Sequence, residues 1–208
     1  MLRSWLSRAR VLPVIAPLDT PSTVALCRTL VEAGMTAVEI TLRHPDALAA
    51  LAAVREDQPQ LCIAAGTVLD PDQARAAVDA GASFLVSPGL TDPLLAVAPD
   101  LGVPLLPGVA TASEVMRGLD AGLDSFKLFP ATAVGGVSLL KALAGPFPDV
   151  VFCPTGGLAP DNFRSFLALP NVPCCGGSWM VSRTLIEGGN WDRIRALAAE
   201  AVAEPAMA

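Results

Sequence analysis

Leu61-Cys-Ile-Ala-Ala-Gly-Thr-Val-Leu-Asp-Pro-Asp-Gln-Ala-Arg-Ala-Ala-Val-Asp-Ala-Gly-Ala-Ser-Phe-Leu-Val-Ser87 shows the plan of the chain most clearly. It opens on an apolar run, turns at Gly66-Thr67, enters an Ala-rich segment through Asp70-Pro71 and returns to a second apolar run at Phe84. A short run that is apolar throughout suits a strand covered on both faces, as in a parallel sheet. Proline, with a fixed φ and no N–H, suits the first turn of a helix. The segment reads as strand, tight loop, helix, strand.

Working outward, similar runs begin near Val11, Ala37, Pro104, Ser125, Val150 and Pro173, which makes eight strand–helix units whose starts lie about 20 to 26 residues apart. Thr20-Pro21 and Ala159-Pro160 mark two further helix starts. Eight such units predict an α/β single-domain (β/α)8 TIM barrel over residues 1–208, with a short N-terminal helical extension over about 1–10; a doubly wound open sheet would leave the same local patterns. Catalytic groups of a barrel lie at the C-terminal ends of its strands. The residues that close the apolar runs are Glu39, Thr41 and Arg43, then Gly66-Thr67, Ser87-Pro88, Thr111, Lys127, Thr155-Gly156-Gly157 and Gly176-Gly177-Ser178.

Composition narrows the partners. The chain has 208 residues, of which 52% are hydrophobic. Its longest apolar runs, such as Ala47 to Val54, fall far short of the roughly 18 to 20 residues that span a bilayer, so this hydrophobicity belongs to an interior. Arg3, Arg8 and Arg10 precede an apolar stretch broken by Pro13 and Pro17, which reads as mature chain rather than a leader. Five cysteines without metal-ligand spacing fit reduced thiols in the cytoplasm, with adjacent Cys174 and Cys175 on opposite faces of a strand. A net charge of −6 argues against nucleic acid and anionic membranes as partners.

Of the 14 basic residues only Lys127 and Lys141 are lysines, and Lys127 stands within Ser125-Phe-Lys-Leu-Phe-Pro130. Burying an ammonium is costly, and desolvation favours the neutral amine that attacks a ketone. The structural alternative is a lysine reaching solvent or pairing with Asp124. In Ala37-Val-Glu-Ile-Thr-Leu-Arg43, strict alternation places Glu39, Thr41 and Arg43 on one face and Val38, Ile40 and Leu42 on the other. A carboxylate near a lysine can move protons, and an arginine can grip a substrate carboxylate through two N–H groups; a Glu39–Arg43 ion pair is the structural alternative. Gly156-Gly157 and Gly176-Gly177-Ser178 close neighbouring strands, where backbone N–H groups can cradle a phosphate, although a single Gly pair also serves a tight turn. His44 reads as a loop residue, Trp179 and Trp191 as packing residues, and Lys141 as a solvated helix charge.

These segments resemble the KDPG aldolases, also known as KHG aldolases (2-keto-3-deoxy-6-phosphogluconate and 4-hydroxy-2-oxoglutarate aldolases). The resemblance runs from Val11-Leu-Pro-Val-Ile15 through Gly34-Met-Thr-Ala-Val-Glu-Ile-Thr-Leu-Arg43, Gly66-Thr-Val-Leu69, Ser87-Pro-Gly-Leu90, Gly122-Leu-Asp-Ser-Phe-Lys-Leu-Phe-Pro-Ala131, Cys153-Pro-Thr-Gly-Gly157 and Gly176-Gly-Ser-Trp179. It implies a class I aldolase on a (β/α)8 barrel, without metal or cofactor, assembled as a homotrimer. By matching position it implies Lys127 as the Schiff-base lysine and Glu39 as the acid/base. It further implies Arg43 and Thr67 at the pyruvyl carboxylate, Pro88 and Phe129 along the pocket, Thr155 at the hydroxylated part of the substrate, and Gly156, Gly157, Gly177 and Ser178 at the phosphate. Some relatives carry an Arg just after the first strand, where this chain has Ala16-Pro17. Other readings are an aldolase of the 2-dehydro-3-deoxy-6-phosphogalactonate branch, an isomerase or transferase on a phosphate-binding barrel, in which Lys127 is no nucleophile, and a non-catalytic phosphosugar-binding protein.

Overall fold

The computed structural model describes residues 1–203. The expected end of the domain at 204–208 lies outside the described residues. Among the described residues nine strand segments follow one another as β1 (Val11–Ile15), β2 (Ala37–Thr41), β3 (Cys62–Gly66), β4 (Phe84–Val86), β5 (Leu105–Leu106), β6 (Gly108–Val109), β7 (Ser125–Leu128), β8 (Val151–Pro154) and β9 (Cys175–Gly177). All their pairings are parallel. One sheet has the order β5-β4-β3-β2-β1-β9, the other β6-β7-β8. A parallel bridge from Thr155 to Gly176 links the end of β8 to β9.

The fifth apolar run, expected as one strand, is divided at Pro107. Leu105 and Leu106 pair with β4, whereas Gly108 and Val109 pair with β7. Pro107 has no N–H to give to a ladder, but its carbonyl accepts from Lys127 N at 2.9 Å. Gly108 is required here because a Cβ would collide with the Pro88 backbone.

Helices connect the strands and cover one face of the sheets. Helix Thr20–Glu32 starts with Pro21 in its first turn and Asp19 accepting from Ser22 N at 2.7 Å; helix Pro71–Asp79 repeats the arrangement, with Asp70 accepting from Gln73 N at 2.8 Å. An acceptor at this position satisfies one of the free N–H groups of the first turn. Ala159-Pro160 does not begin a helix directly: Pro160 lies in a turn, and the helix is Phe163–Leu167. Thr111 likewise departs from the expected rim role, since its side chain caps helix Ala112–Asp120 in a reciprocal box with Glu114.

Alternation along the strands divides the apolar side chains into two clusters. Val38, Ile40, Ile63, Leu85, Phe126 and Cys175 pack outward beneath the helices. Leu12, Ala37, Ala64, Phe84, Leu106, Cys153 and Cys174 form a second core on the inner side of the curled sheets, shared between them. Cys174 and Cys175 thus face opposite ways, and all five thiols are free. Helix Leu2–Ala9 closes the N-terminal end of this inner core through buried Leu6 and Ala9, and Trp5 stacks on Phe84 with ring centroids 6.0 Å apart. Arg3 holds that helix in place, with Nε 3.0 Å from the Asp124 carboxylate and Nη2 donating to the carbonyls of Asp124 and Asp149. Truncating Leu6 to Ala would cost about 2–5 kcal/mol, the range for a large buried apolar side chain. With one end of the inner core plugged, the C-terminal ends of the strands are left for a site.

Candidate active site

The inward face of β2 carries Ala37, Glu39 and Thr41, and that of β7 carries Lys127. Lys127 Nζ donates to Glu39 Oε1 at 3.1 Å and approaches Oε2 at 3.5 Å; their side chains are only 7% and 1% exposed. Neither structural alternative holds: Asp124 binds Arg3, and Glu39 pairs with Lys127 rather than Arg43. The Phe129 ring stands 5.4 Å from Nζ, close enough for its face to attract the ammonium form.

Gly66, at the end of β3, lies against the Glu39 carboxylate. Thr67, the next residue, has φ +59°, a left-handed conformation that is unfavourable for a β-branched residue. Its hydroxyl accepts from Arg43 Nε at 3.2 Å, so the two residues expected at a carboxylate do meet. Thr41 is spent on structure, donating to the Ile15 carbonyl at 2.9 Å.

A cleft of about 330 Å³ opens beside this pair. Nine of the expected residues line it: Thr41, Arg43, Phe129, Thr155, Gly156, Gly157, Gly176, Gly177 and Ser178. Lys127, Glu39, Thr67 and Pro88 do not line its wall; Pro88 is half-buried at the end of β4, with its carbonyl against Gly108. Arg43 is the charged residue of the lining. Gly156 and Gly157 have φ +101° and +79°, conformations that open easily only to glycine. Their loop packs on Ala131 and Thr132, whose N–H groups donate to the carbonyls of Thr155 and Gly156 at 2.8 and 3.1 Å. The side chain of Trp179 lies against Gly177 and packs at a tilt of 33° on Phe163, with ring centroids 5.1 Å apart.

Val14, Ala16 and Leu158 also line the cleft without having been singled out for binding. Val14 and Ala16 follow from position, since they extend β1 toward the same rim as Glu39. Leu158 gives no chemical signal in the sequence. Gly176 permits the approach of Thr155, because a Cβ there would strike the Thr155 hydroxyl. Among the described residues no cluster of three His, Cys, Asp or Glu side chains could hold a metal, and no helix is long and apolar enough to cross a membrane.

A sequestered amine in contact with a carboxylate, opening toward an arginine on a parallel α/β frame, is equipment for making and breaking bonds beside a carbonyl, and the chain is a lyase of α/β fold. It belongs to the KDPG and KHG aldolase family, whose model matches residues 2–197. It is 48% identical over 199 residues to the KHG/KDPG aldolase of Escherichia coli K12, covering 96% of this chain and 93% of that one. The KDPG aldolase of Legionella pneumophila, solved with pyruvate captured at low pH as a covalent carbinolamine intermediate, superposes with a TM-score of 0.95 at 41% identity over 98% of both chains. The 2-keto-3-deoxy-6-phosphogluconate aldolase of Zymomonas mobilis ZM4, solved with 3-phosphoglycerate, gives 0.90 at 42% identity, covering 96% of this chain and 94% of that one.

Proposed function

We propose that the chain is a class I aldolase that cleaves 2-dehydro-3-deoxy-6-phosphogluconate reversibly to pyruvate and D-glyceraldehyde 3-phosphate, and 4-hydroxy-2-oxoglutarate to pyruvate and glyoxylate. The observation that carries this reading is the buried contact of Lys127 Nζ with Glu39 Oε1 at 3.1 Å beneath an arginine-bearing cleft. Lys127, as the free amine, adds to the C2 ketone to give a carbinolamine, and loss of water leaves an iminium. Glu39 delivers the proton for dehydration and then takes the C4 hydroxyl proton. The C3–C4 pair flows into the iminium to give an enamine and release the aldehyde. Protonation of the enamine at C3 and hydrolysis return pyruvate and the lysine.

In this reading Arg43 and Thr67 take the pyruvyl carboxylate, Phe129 and Pro88 bound the keto-acid end, and Thr155 meets the hydroxylated carbons. Gly156, Gly157, Gly177 and Ser178 hold the phosphate through backbone and hydroxyl donors, without an arginine at Ala16. No metal or cofactor takes part in the scheme.

The frame is read as one closed (β/α)8 barrel domain. Support comes from the Thr155–Gly176 bridge, the direct continuation of β5 into β6 across Pro107 and the inner core common to both sheets. We place the enzyme in the cytoplasm as a homotrimer; Met116 and Leu119, 57% and 40% exposed three residues apart on helix Ala112–Asp120, offer an apolar face to a second copy. Coupling pyruvate release to NADH oxidation by lactate dehydrogenase tests the activity. The reading expects turnover of both substrates, with the higher kcat/KM for the phosphorylated one; no pyruvate from either refutes it.

A further inference from the structure

Gly66 occupies β3 directly across from Thr41, two residues beyond the Ala64 that pairs with Glu39. Its φ lies outside the left-handed range, so the backbone itself does not call for glycine. A Cβ built there would lie 2.6 Å from Glu39 Cγ and 2.7 Å from Cδ, and closer still to Oε1. The three nearest atoms are thus all from one side chain. The Glu39 side chain leans along the strand into the space that Gly66 leaves empty, which brings its carboxylate to Lys127.

We infer that Gly66 is a positioning residue for Glu39: the missing side chain at 66 forms the seat that fixes the carboxylate against the Lys127 amine. This rests on the reading of Glu39 as the acid/base. An alanine at 66 fits the local backbone, and because the clash reaches Glu39 Cγ as well as the carboxylate, it is relieved by turning the whole Glu39 side chain about χ1, so Glu39 yields and the strand stays. Small displacements of a proton-transferring group lower the chemical step while leaving distant substrate contacts intact.

The test uses the full-length enzyme with Gly66→Ala, Glu39→Gln, Glu39→Ala and the combination of Gly66→Ala with Glu39→Ala. For Gly66→Ala the expected result is a kcat lowered roughly 10- to 100-fold with KM changed less than about threefold, the split for a group acting in the transition state. The rate of borohydride trapping with pyruvate should fall in parallel. Because the clash is with Glu39, any fall in Tm caused by Gly66→Ala should disappear in the Glu39→Ala background, which keeps the inference testable even where Gly66→Ala folds poorly. Glu39→Ala, which has no Cγ to meet the added methyl, should be slowed far less by Gly66→Ala than the wild type is. Multiplicative kcat effects in Gly66→Ala/Glu39→Ala, or an undiminished Tm loss in that background, overturn the inference. Wild-type turnover in Gly66→Ala beside a large loss in Glu39→Gln overturns it alone, whereas full activity in Glu39→Gln removes the acid/base reading beneath it.

Discussion

Replacing Lys127 by Met should strongly destabilise the protein at pH 7. The substitution keeps roughly the volume and apolar stem of the side chain but leaves Glu39 without its partner in a setting where it is 1% exposed. At 3.1 Å, with an effective dielectric near 20, the lost attraction is about 5 kcal/mol. Breaking a buried pair from one side costs about 3–5 kcal/mol in general. For a chain of this length each kcal/mol moves Tm by about 2–4 °C. Urea denaturation of Lys127→Met and wild type at pH 7 measures the difference. A Lys127→Met/Glu39→Met variant should recover wild-type stability or exceed it by about 1–4 kcal/mol while remaining inactive. A Lys127→Met variant as stable as wild type at pH 7 would refute the reasoning, as would a Lys127→Met/Glu39→Met variant no more stable than Lys127→Met.

Three further outcomes are expected. Arg43→Ala should raise KM for the keto acid more than Lys127→Ala weakens its non-covalent binding in a competition titration, since Arg43 supplies the charge of the cleft and Lys127 the chemistry. Thr67→Gly should hold or raise Tm by relieving about 1 kcal/mol of strain at φ +59° while KM rises through loss of the hydroxyl that meets Arg43, checked by calorimetry beside steady-state kinetics. The hydrogen-bonded Arg28 guanidinium holds the Asp57 carboxyl down at about 2, so this ion pair contributes above the ordinary carboxylate value of 3.8 and is lost as pH falls toward 2. In a denaturation series from pH 6 to pH 2.5, Arg28→Ala should therefore flatten the acid-side decline, with its full deficit from wild type at pH 4 and above and a shrinking one below.

Much of the frame was legible in the sequence because it depends on neighbours. Alternation within Ala37 to Arg43 placed Glu39 inward and Val38 and Ile40 outward, and Asp-Thr-Pro and Asp-Pro at residues 19–21 and 70–71 marked helix starts that the caps of Asp19 and Asp70 explain. The division at Pro107 was not legible, because whether a proline interrupts a strand depends on which neighbour needs its N–H. Thr111 could be a rim hydroxyl or a helix cap from sequence alone; Glu114, three residues on, tips it to the cap. The Lys127–Glu39 contact spans 88 positions, so periodicity could supply each residue's face but not their meeting. Gly66 stood out only as the end of a strand, since a seat formed by an absent side chain leaves no trace until the carboxylate that fills it is in place.

The central claim is that Lys127 bonds covalently to the keto acid. Incubation with pyruvate and sodium borohydride, followed by peptide mass analysis, tests it directly. The account predicts one reduced pyruvyl group per chain, on Lys127, with exposed Lys141 unmodified and loss of activity in step with labelling. An unlabelled Lys127, or a label on Lys141 with full activity retained, would contradict it.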